Sequence, residues 1–397
     1  MLALARMLGE VFERFRQPSM VGEIIAGIIL GPTLLGWVGY TSDIRAISDL
    51  AVLMLIIHAG LEIKVDDIRE AVSGKKLWIA IFGFCIPFAS GLLLGWLWGF
   101  DSLISIFLGL CISITALPVS VRILIDLGKL NSEVGRNILS AAIFNDVAAL
   151  LVLGVVLNFN DTTGEATIGM MMGQIGLTLL KILVFLAILL VTYRLFTYLT
   201  HRFINRRYLV SRYFDFLRGK ESTFAVVMIF ILLFASLAEL IGLHFIIGAF
   251  FGAILVPQEL ISNERMQGVI SSTSTITMGF LAPIFFAGIG LEFNLLAITD
   301  FWLMGAVLLV SFVSKIAGGY ASGRIAGYSS AKSATLGIGL NARGIIELVI
   351  ANIALSNGLI DISFFSILVL MGLVTTLVTP VLLNQGFKML DRRGESS

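Results

Sequence analysis

Charge is scarce in this chain. Only 13% of its 397 residues are Asp, Glu, Lys or Arg, while 58% are hydrophobic. A water-soluble core does not need that much apolar surface, so a soluble globular protein is excluded. Histidine is scarce as well: His58, His201 and His244 are scattered. No nucleophile–base pair or phosphate-loop pattern is present, so no enzyme and no cofactor is expected. The two cysteines, Cys85 and Cys111, lie in apolar runs and read as small core residues, not as a disulfide or a metal pair. A net charge of +1 gives no pointer to nucleic acid, and none is expected as a partner. Secretory cleavage and lipidation patterns are also missing.

What the chain has instead is apolar runs, and a mean hydropathy of +0.99. Runs of about 20 residues match the length of a bilayer-crossing helix. Lipid offers the backbone no hydrogen-bond partner, so the spans must be helical. An all-α polytopic membrane protein follows, with the lipid bilayer as its surroundings. The runs are 1–15, 19–37, 46–63, 77–99, 102–125, 135–158, 168–193, 222–241, 243–257, 274–292, 300–322, 331–356 and 362–387. The first is short, about 22 Å as a helix, and carries Arg6, Glu10 and Glu13.

The loops orient the chain. Numbered alternately, one set holds Arg14, Arg16, Lys64, Arg69, Lys75, Lys76, Lys129, Arg136, a cluster from Arg194 to Lys220, Arg265, Arg324, Lys332, and Lys388, Arg392 and Arg393. The other set holds Arg45 alone, apart from Arg6 in the first run. Positive residues stay on the cytoplasmic side, so the C-terminus is expected inside, in a bacterial cytoplasmic membrane.

Two pieces of sequence recur. "VGEIIAGIIL" (21–30) returns as "IGAFFGAILV" (247–256), and "IIHAGLEI" (56–63) as "FAGIGLEF" (286–293). The interval contains seven spans, an odd number, so the second copy enters the membrane inverted, as in many transporters. The expected organisation is a first repeat with a linker helix over 1–193, a basic cytoplasmic linker over 194–221, a second repeat over 222–387, and a short cytoplasmic tail over 388–397. Each repeat carries a candidate interrupted helix. "SITALPVSVRIL" (113–124) places Pro118 inside an apolar run, where it removes a backbone donor. Ser113, Thr115 and Ser120 are there to satisfy freed groups. The matching span, "GIGLNARGIIELVIANIAL" (337–355), is weakened by Gly337, Gly339 and Gly344, with Asn341, Arg343 and Glu347 polar at depth. The interrupted helices are expected to cross at the midplane.

Four charges lie far from any loop: Asp146, Lys315, Arg343 and Glu347. Each costs about 2.5–3.5 kcal/mol at the membrane centre, so they must pair, neutralise or face water. Arg343 and Glu347 are four apart on one helix face, and their simplest role is a structural ion pair. Asp146 has no such neighbour. A buried carboxylate favours its protonated form and a nearby cation favours the charged one, which suits a group that binds a proton or a metal cation in turn. Lys315 is a counter-charge that lets its helix insert, or a participant in proton exchange. Asn145 is expected to tie its helix to the broken segment.

These stretches resemble the monovalent cation/proton antiporter-2 family. "SITALPVSVRILIDLGKL" and "GRNILSAAIFNDVAALLVLGVV" are similar to that family's broken helix and ion-binding helix. "KIAGGYASGR" is similar to its lysine helix, and "GLNARGIIELVIANIALSNGLI" to the second broken helix of the cation/proton exchanger branch. The early "RFRQPSMVGEIIAGIILGPTLLG" also matches. The resemblance implies about thirteen transmembrane helices, a panel domain and a core domain that moves against it, and a homodimer. It places Asp146 as the essential ion-binding aspartate, Thr115 in the unwound segment and Lys315 as the family lysine. Asn145 stands where many sodium exchangers have a second aspartate, and the nucleotide-binding regulatory domain of the potassium-efflux members has no counterpart.

The expected function is secondary antiport of Na+ or K+ against H+ by alternating access. Asp146, Asn145 and Thr115 form the ion and proton site, with the transported cation on Asp146. The alternatives are an uncoupled cation permeation or sensing protein, and an organic-anion symporter on a related inverted-repeat fold. An anion carrier would present helix N-termini and positive side chains to its substrate, and a lone aspartate at the break argues for cations.

Overall fold

The computed structural model describes residues 1–15, 17–159, 168–202, 220–256, 261 and 263–395. The described residues are helical with no strand. In order, the helices are α1 (Leu2–Arg14), α2 (Ser19–Leu30), α3 (Ser42–Glu62), α4 (Val65–Ala71), α5 (Gly74–Leu97), α6 (Ser102–Ser113), α7 (Leu117–Asp126), α8 (Glu133–Phe159) and α9 (Ile168–Arg202). They continue with α10 (Lys220–Ile241), α11 (Phe245–Ile254), α12 (Asn263–Ile276), a π turn (Thr277–Leu281) and α13 (Ala282–Glu292). A 3-10 turn (Leu295–Ala297) leads to α14 (Phe301–Ile325), α15 (Ser330–Gly339), α16 (Ile345–Ser356) and α17 (Ile362–Arg393).

Each of the thirteen apolar runs carries helix. Among the described residues, nine spans are long and apolar enough to cross a membrane, and α2, α11 and α16 are shorter apolar helices. The chain is an integral membrane protein. Two features differ from those expected. α4 is an added short helix, too polar to register as an apolar run. α17 continues to Arg393, so the first part of the basic tail is the last turn of a helix, where its cations meet the negative end of the dipole. Residues 203–219 of the basic linker lie outside the described residues.

Starts and stops follow local chemistry. Asp101, Asp300, Ser329 and Asp361 each accept a bond from the second or third helical N–H at the starts of α6, α14, α15 and α17. Pro118 occupies the second position of α7. There its missing N–H costs nothing, because that group has no intrahelical partner at a helix start.

The chain divides into two compact units. One comprises Met1–Asp49, Asp66–Ala149 and Ala282–Ser397; the other comprises Leu50–Val65 and Leu150–Leu281. In the second unit, Ile57, Leu61, Ile231, Ala249, Ala253 and Met266 form a common apolar core. The first unit carries both interrupted helices. In it α5 packs on α6 and α14, α14 on α15, and α15 and α16 on α17. Two of these contacts are backbone-close. A β-carbon on Gly91 would sit 2.5 Å from the Cα of Gly109, and one on Gly319 would collide with the Cα of Gly337. Gly337 therefore corrects the expectation drawn from it. Helix α15 runs unbroken through Gly337 and Gly339, and these glycines admit neighbouring helices instead of weakening their own. The break falls after them, over 340–344.

Candidate functional site

Helix α6 ends at Ser113 and α7 begins at Leu117. Helix α15 ends at Gly339 and α16 begins at Ile345. The two unwound stretches lie against each other: the Ala116 N–H donates to the Ala342 carbonyl at 2.8 Å, and the Thr115 hydroxyl to the Leu340 carbonyl at 2.8 Å.

A helix end leaves its last four carbonyls without intrahelical donors. At the end of α6 all four have partners. The Ser113 hydroxyl donates to Leu110 O at 2.8 Å. Arg343 donates from Nη1 to Cys111 O and from Nη2 to Ile112 O, the latter at 3.0 Å. Lys315 Nζ donates to Ser113 O. Two cationic side chains thus sit at the negative end of the α6 dipole. Ser113 and Thr115 bond freed groups, whereas the Ser120 hydroxyl has no partner.

Thr115 is the hub of the crossing. Its single proton goes to Leu340 O. Its lone pairs accept from Lys315 Nζ at 2.7 Å and Asn145 Nδ2 at 3.0 Å. The third N–H of Lys315 reaches Gly83 O on α5 at 3.4 Å. Lys315 is fully buried, and its ammonium is engaged by Gly83, Ser113 and Thr115. Asn145 also reaches Ser113 O at 3.5 Å, so it fastens α8 to the first break.

Asp146 is the next residue along α8. It is the fourteenth of 27 residues, midway along the helix, and only 2% exposed. Among the described residues its Oδ1 has no hydrogen-bond partner. The structure therefore brings Asp146, Asn145, Thr115 and Lys315 to one junction, and Pro118 opens the half-helix that leaves it.

Arg343 and Glu347 are both fully buried, with Nη1 and Oε2 3.5 Å apart. Glu347 is the third residue of α16, where a carboxylate suits the positive end of the dipole. Arg343 therefore bridges Glu347 and the end of α6, and the Thr376 hydroxyl on α17 holds the Arg343 carbonyl at 3.1 Å.

The carbonyl acceptors of Gly83, Cys111, Ile112 and Ser113 give no signal in a sequence, since every residue has one. Glu23, 2% exposed and 3.6 Å from Arg6, is a further buried acid that its apolar run conceals. Among the described residues no cluster of three His, Cys, Asp or Glu could hold a resident metal ion.

The chain resembles known proteins over nearly its whole length. The chain is 28% identical to the Na(+)/H(+)-K(+) antiporter GerN of Bacillus cereus over 100% of this chain and 97% of that one. It is 30% identical to the Na(+)/H(+) antiporter NhaS4 of Synechocystis over 95% and 93%. The fold is shared with the sodium proton antiporter MjNhaP1 of Methanocaldococcus jannaschii, with a TM-score of 0.68 at 15% identity, covering 98% and 95% of the two chains. The family model for the transmembrane sodium/hydrogen exchanger matches residues 1–385, and the chain belongs to that family.

Proposed function

We infer that this protein is a secondary antiporter that exchanges a monovalent cation, Na+ or K+, for H+. The observation that carries the reading is Asp146: a buried carboxylate midway along α8, with an unpartnered oxygen, beside the crossing of two interrupted helices. Relatives named as Na(+)/H(+)-K(+) and Na(+)/H(+) antiporters, matched over 97% and 93% of their length, support it. A proton and a cation compete for Asp146, and only the loaded site crosses, which couples the two fluxes. Thr115 acts by organising the crossing, because all its bonding positions are occupied. Lys315 compensates the end of α6. Alternating access moves the site between the two sides, in a homodimer whose C-terminus is cytoplasmic in a bacterial membrane.

The inverted repeat is supported by contacts as well as by sequence. Gly91–Gly109 and Gly95–Ser105 recur 228 residues later as Gly319–Gly337 and Gly323–Ser333. Gly60 approaches Phe250 and Ala253, while Gly290 approaches Ile24 and Gly27. Those pairs are the two quoted motifs packed reciprocally, each repeat's α2-type helix against the other's "GLE" helix.

The test is transport in proteoliposomes with an internal pH dye. A Na+ or K+ pulse should alkalinise the lumen, and cation entry without proton exit would overturn antiport. Exchange should also be electroneutral. Asn145 does not titrate, which leaves Asp146 as the one acid of the pair, and the three N–H groups of Lys315 have three acceptors. Moving one charge through 100 mV is worth about 2.3 kcal/mol. Under a valinomycin potential of that size, the Na+ rate should change by less than about twofold; a steep rise would reveal a second proton.

Thr115→Val removes the hub of the crossing. A hydrogen bond to a charged group is worth about 1.5–3 kcal/mol, so the apparent KM for Na+ should rise about tenfold or more, with the maximal rate changing less. An unchanged Na+ dependence would separate Thr115 from the site.

A further inference from the structure

Among the described residues, Asp146 Oδ1, Asn145 Oδ1 and Asn341 Oδ1 are buried without a hydrogen-bond partner, and unlike the Glu347 oxygens they face no guanidinium in an ion pair. Their residues are 2%, 0% and 1% exposed. Buried polar atoms almost always find a partner, so three orphan acceptors on adjoining segments are unusual. We propose that Asn341, in the second break, is a further ligand of the transported cation, donating its amide oxygen opposite Asp146 and Asn145. This rests on the antiport reading and adds the third segment of the site to it.

Backbone register places Asn341 at the crossing. Its two neighbours, Leu340 and Ala342, are the residues whose carbonyls accept from Thr115 and Ala116. Asn341 therefore stands between the two bonds that hold the breaks together. Neither polar atom of its amide has a hydrogen-bond partner among the described residues.

The orientation of Asn145 is fixed independently. Thr115 has given its only proton to Leu340 O, so it can only accept from Asn145. The Asn145 Nδ2 must face Thr115, and its Oδ1 must face away. Rotating that amide to hide the orphan oxygen would set acceptor against acceptor.

The two half-helix ends also differ. The α6 end is met by two cationic side chains, Arg343 and Lys315. The Leu340 and Ala342 carbonyls beyond the α15 end receive only neutral donors, the Thr115 hydroxyl and the Ala116 N–H. The negative end of a helix dipole favours a cation, and among the described residues no cationic side chain bonds these two carbonyls. Hard oxygen donors without nitrogen or sulfur suit alkali cations. A carboxylate and two amide oxygens make such a set, and Asn341 belongs to the part that the second repeat provides.

The test is Na+ titration of exchange by the parent, Asn341→Leu and Asn341→Asp in proteoliposomes, with monodispersity and melting in detergent measured alongside. Leucine keeps the volume and removes the oxygen. The apparent KM for Na+ should rise about tenfold, with the maximal rate within about threefold of the parent. A folded leucine variant whose KM stays within about twofold would overturn the proposal, because a merely packed or water-holding amide would not set cation affinity. Should the leucine variant not fold, Asn341→Asp decides. It keeps shape and oxygen but sharpens the charge on the ligand, so the ratio of Li+ to Na+ apparent affinities should move by at least about threefold. An unchanged ratio would overturn the proposal. Failure of the antiport reading looks different: the parent itself would move no protons in response to any alkali cation.

Discussion

Asp146→Asn is expected to reduce cation-driven proton movement to the level of protein-free liposomes, in a protein that still folds. The substitution keeps the side-chain shape and removes the only titratable group at the middle of α8. Among the described residues Asp146 Oδ1 makes no hydrogen bond, so no bond of that oxygen is lost. A lone charge near the membrane centre costs about 2.5–3.5 kcal/mol. Its removal should leave the melting temperature in detergent unchanged or slightly higher. That combination, full loss of transport without loss of stability, distinguishes a transport carboxylate from a structural one. The other buried acids are committed elsewhere: Glu347 to Arg343 at 3.5 Å, Glu23 to Arg6 at 3.6 Å, and the partly buried Glu292 accepts from Asn352 at 3.2 Å. Exchange at the parental rate in Asp146→Asn vesicles would mean that one of these carries the proton instead, and the site would have to be redrawn.

The asparagine and aspartate of α8 were legible because polarity in a long apolar run has few explanations. The first break was legible for a similar reason, since a proline in such a run must interrupt or open a helix, and Pro118 opens one. The second break falls inside the stretch expected for it and contains Gly344, whereas the role of Gly337 and Gly339 is steric, as the packing of α14 and of α8's Ile138 against them reveals. Sequence cannot tell a glycine that loosens its own helix from one that admits a neighbour. The electrostatics of the α6 end were illegible altogether, because the acceptors are backbone carbonyls and the donors come from about 200 residues away. Asn341 was visible as a polar residue at depth. Its significance lies in what it fails to touch, which is a property of the folded chain.

Arg343→Met should be the most destabilising of the substitutions at this junction. The guanidinium is fully buried and serves three partners at once: the Cys111 and Ile112 carbonyls on α6, and Glu347 on α16. Removing it leaves two helix-end carbonyls without donors and a carboxylate without a counter-charge. Breaking a buried pair by deleting one member typically costs about 3–5 kcal/mol. A large drop in melting temperature is therefore expected in detergent, with transport lost along with the fold. Arg343→Lys should be intermediate at best, since one ammonium cannot match the planar fork that spans both carbonyls and the carboxylate. The double variant Arg343→Met/Glu347→Gln separates the terms. If the unpaired carboxylate is a main part of the penalty, neutralising it should recover stability, so that the pair loses less together than the sum of the single losses. The recovery should remain incomplete, because Cys111 O and Ile112 O still lack their donors. A different result would reassign the residue. If Arg343→Met melts like the parent but its apparent KM for Na+ changes severalfold, the guanidinium acts on the transported ion, and the bonds of Thr115 and Ala116 suffice to join the two breaks.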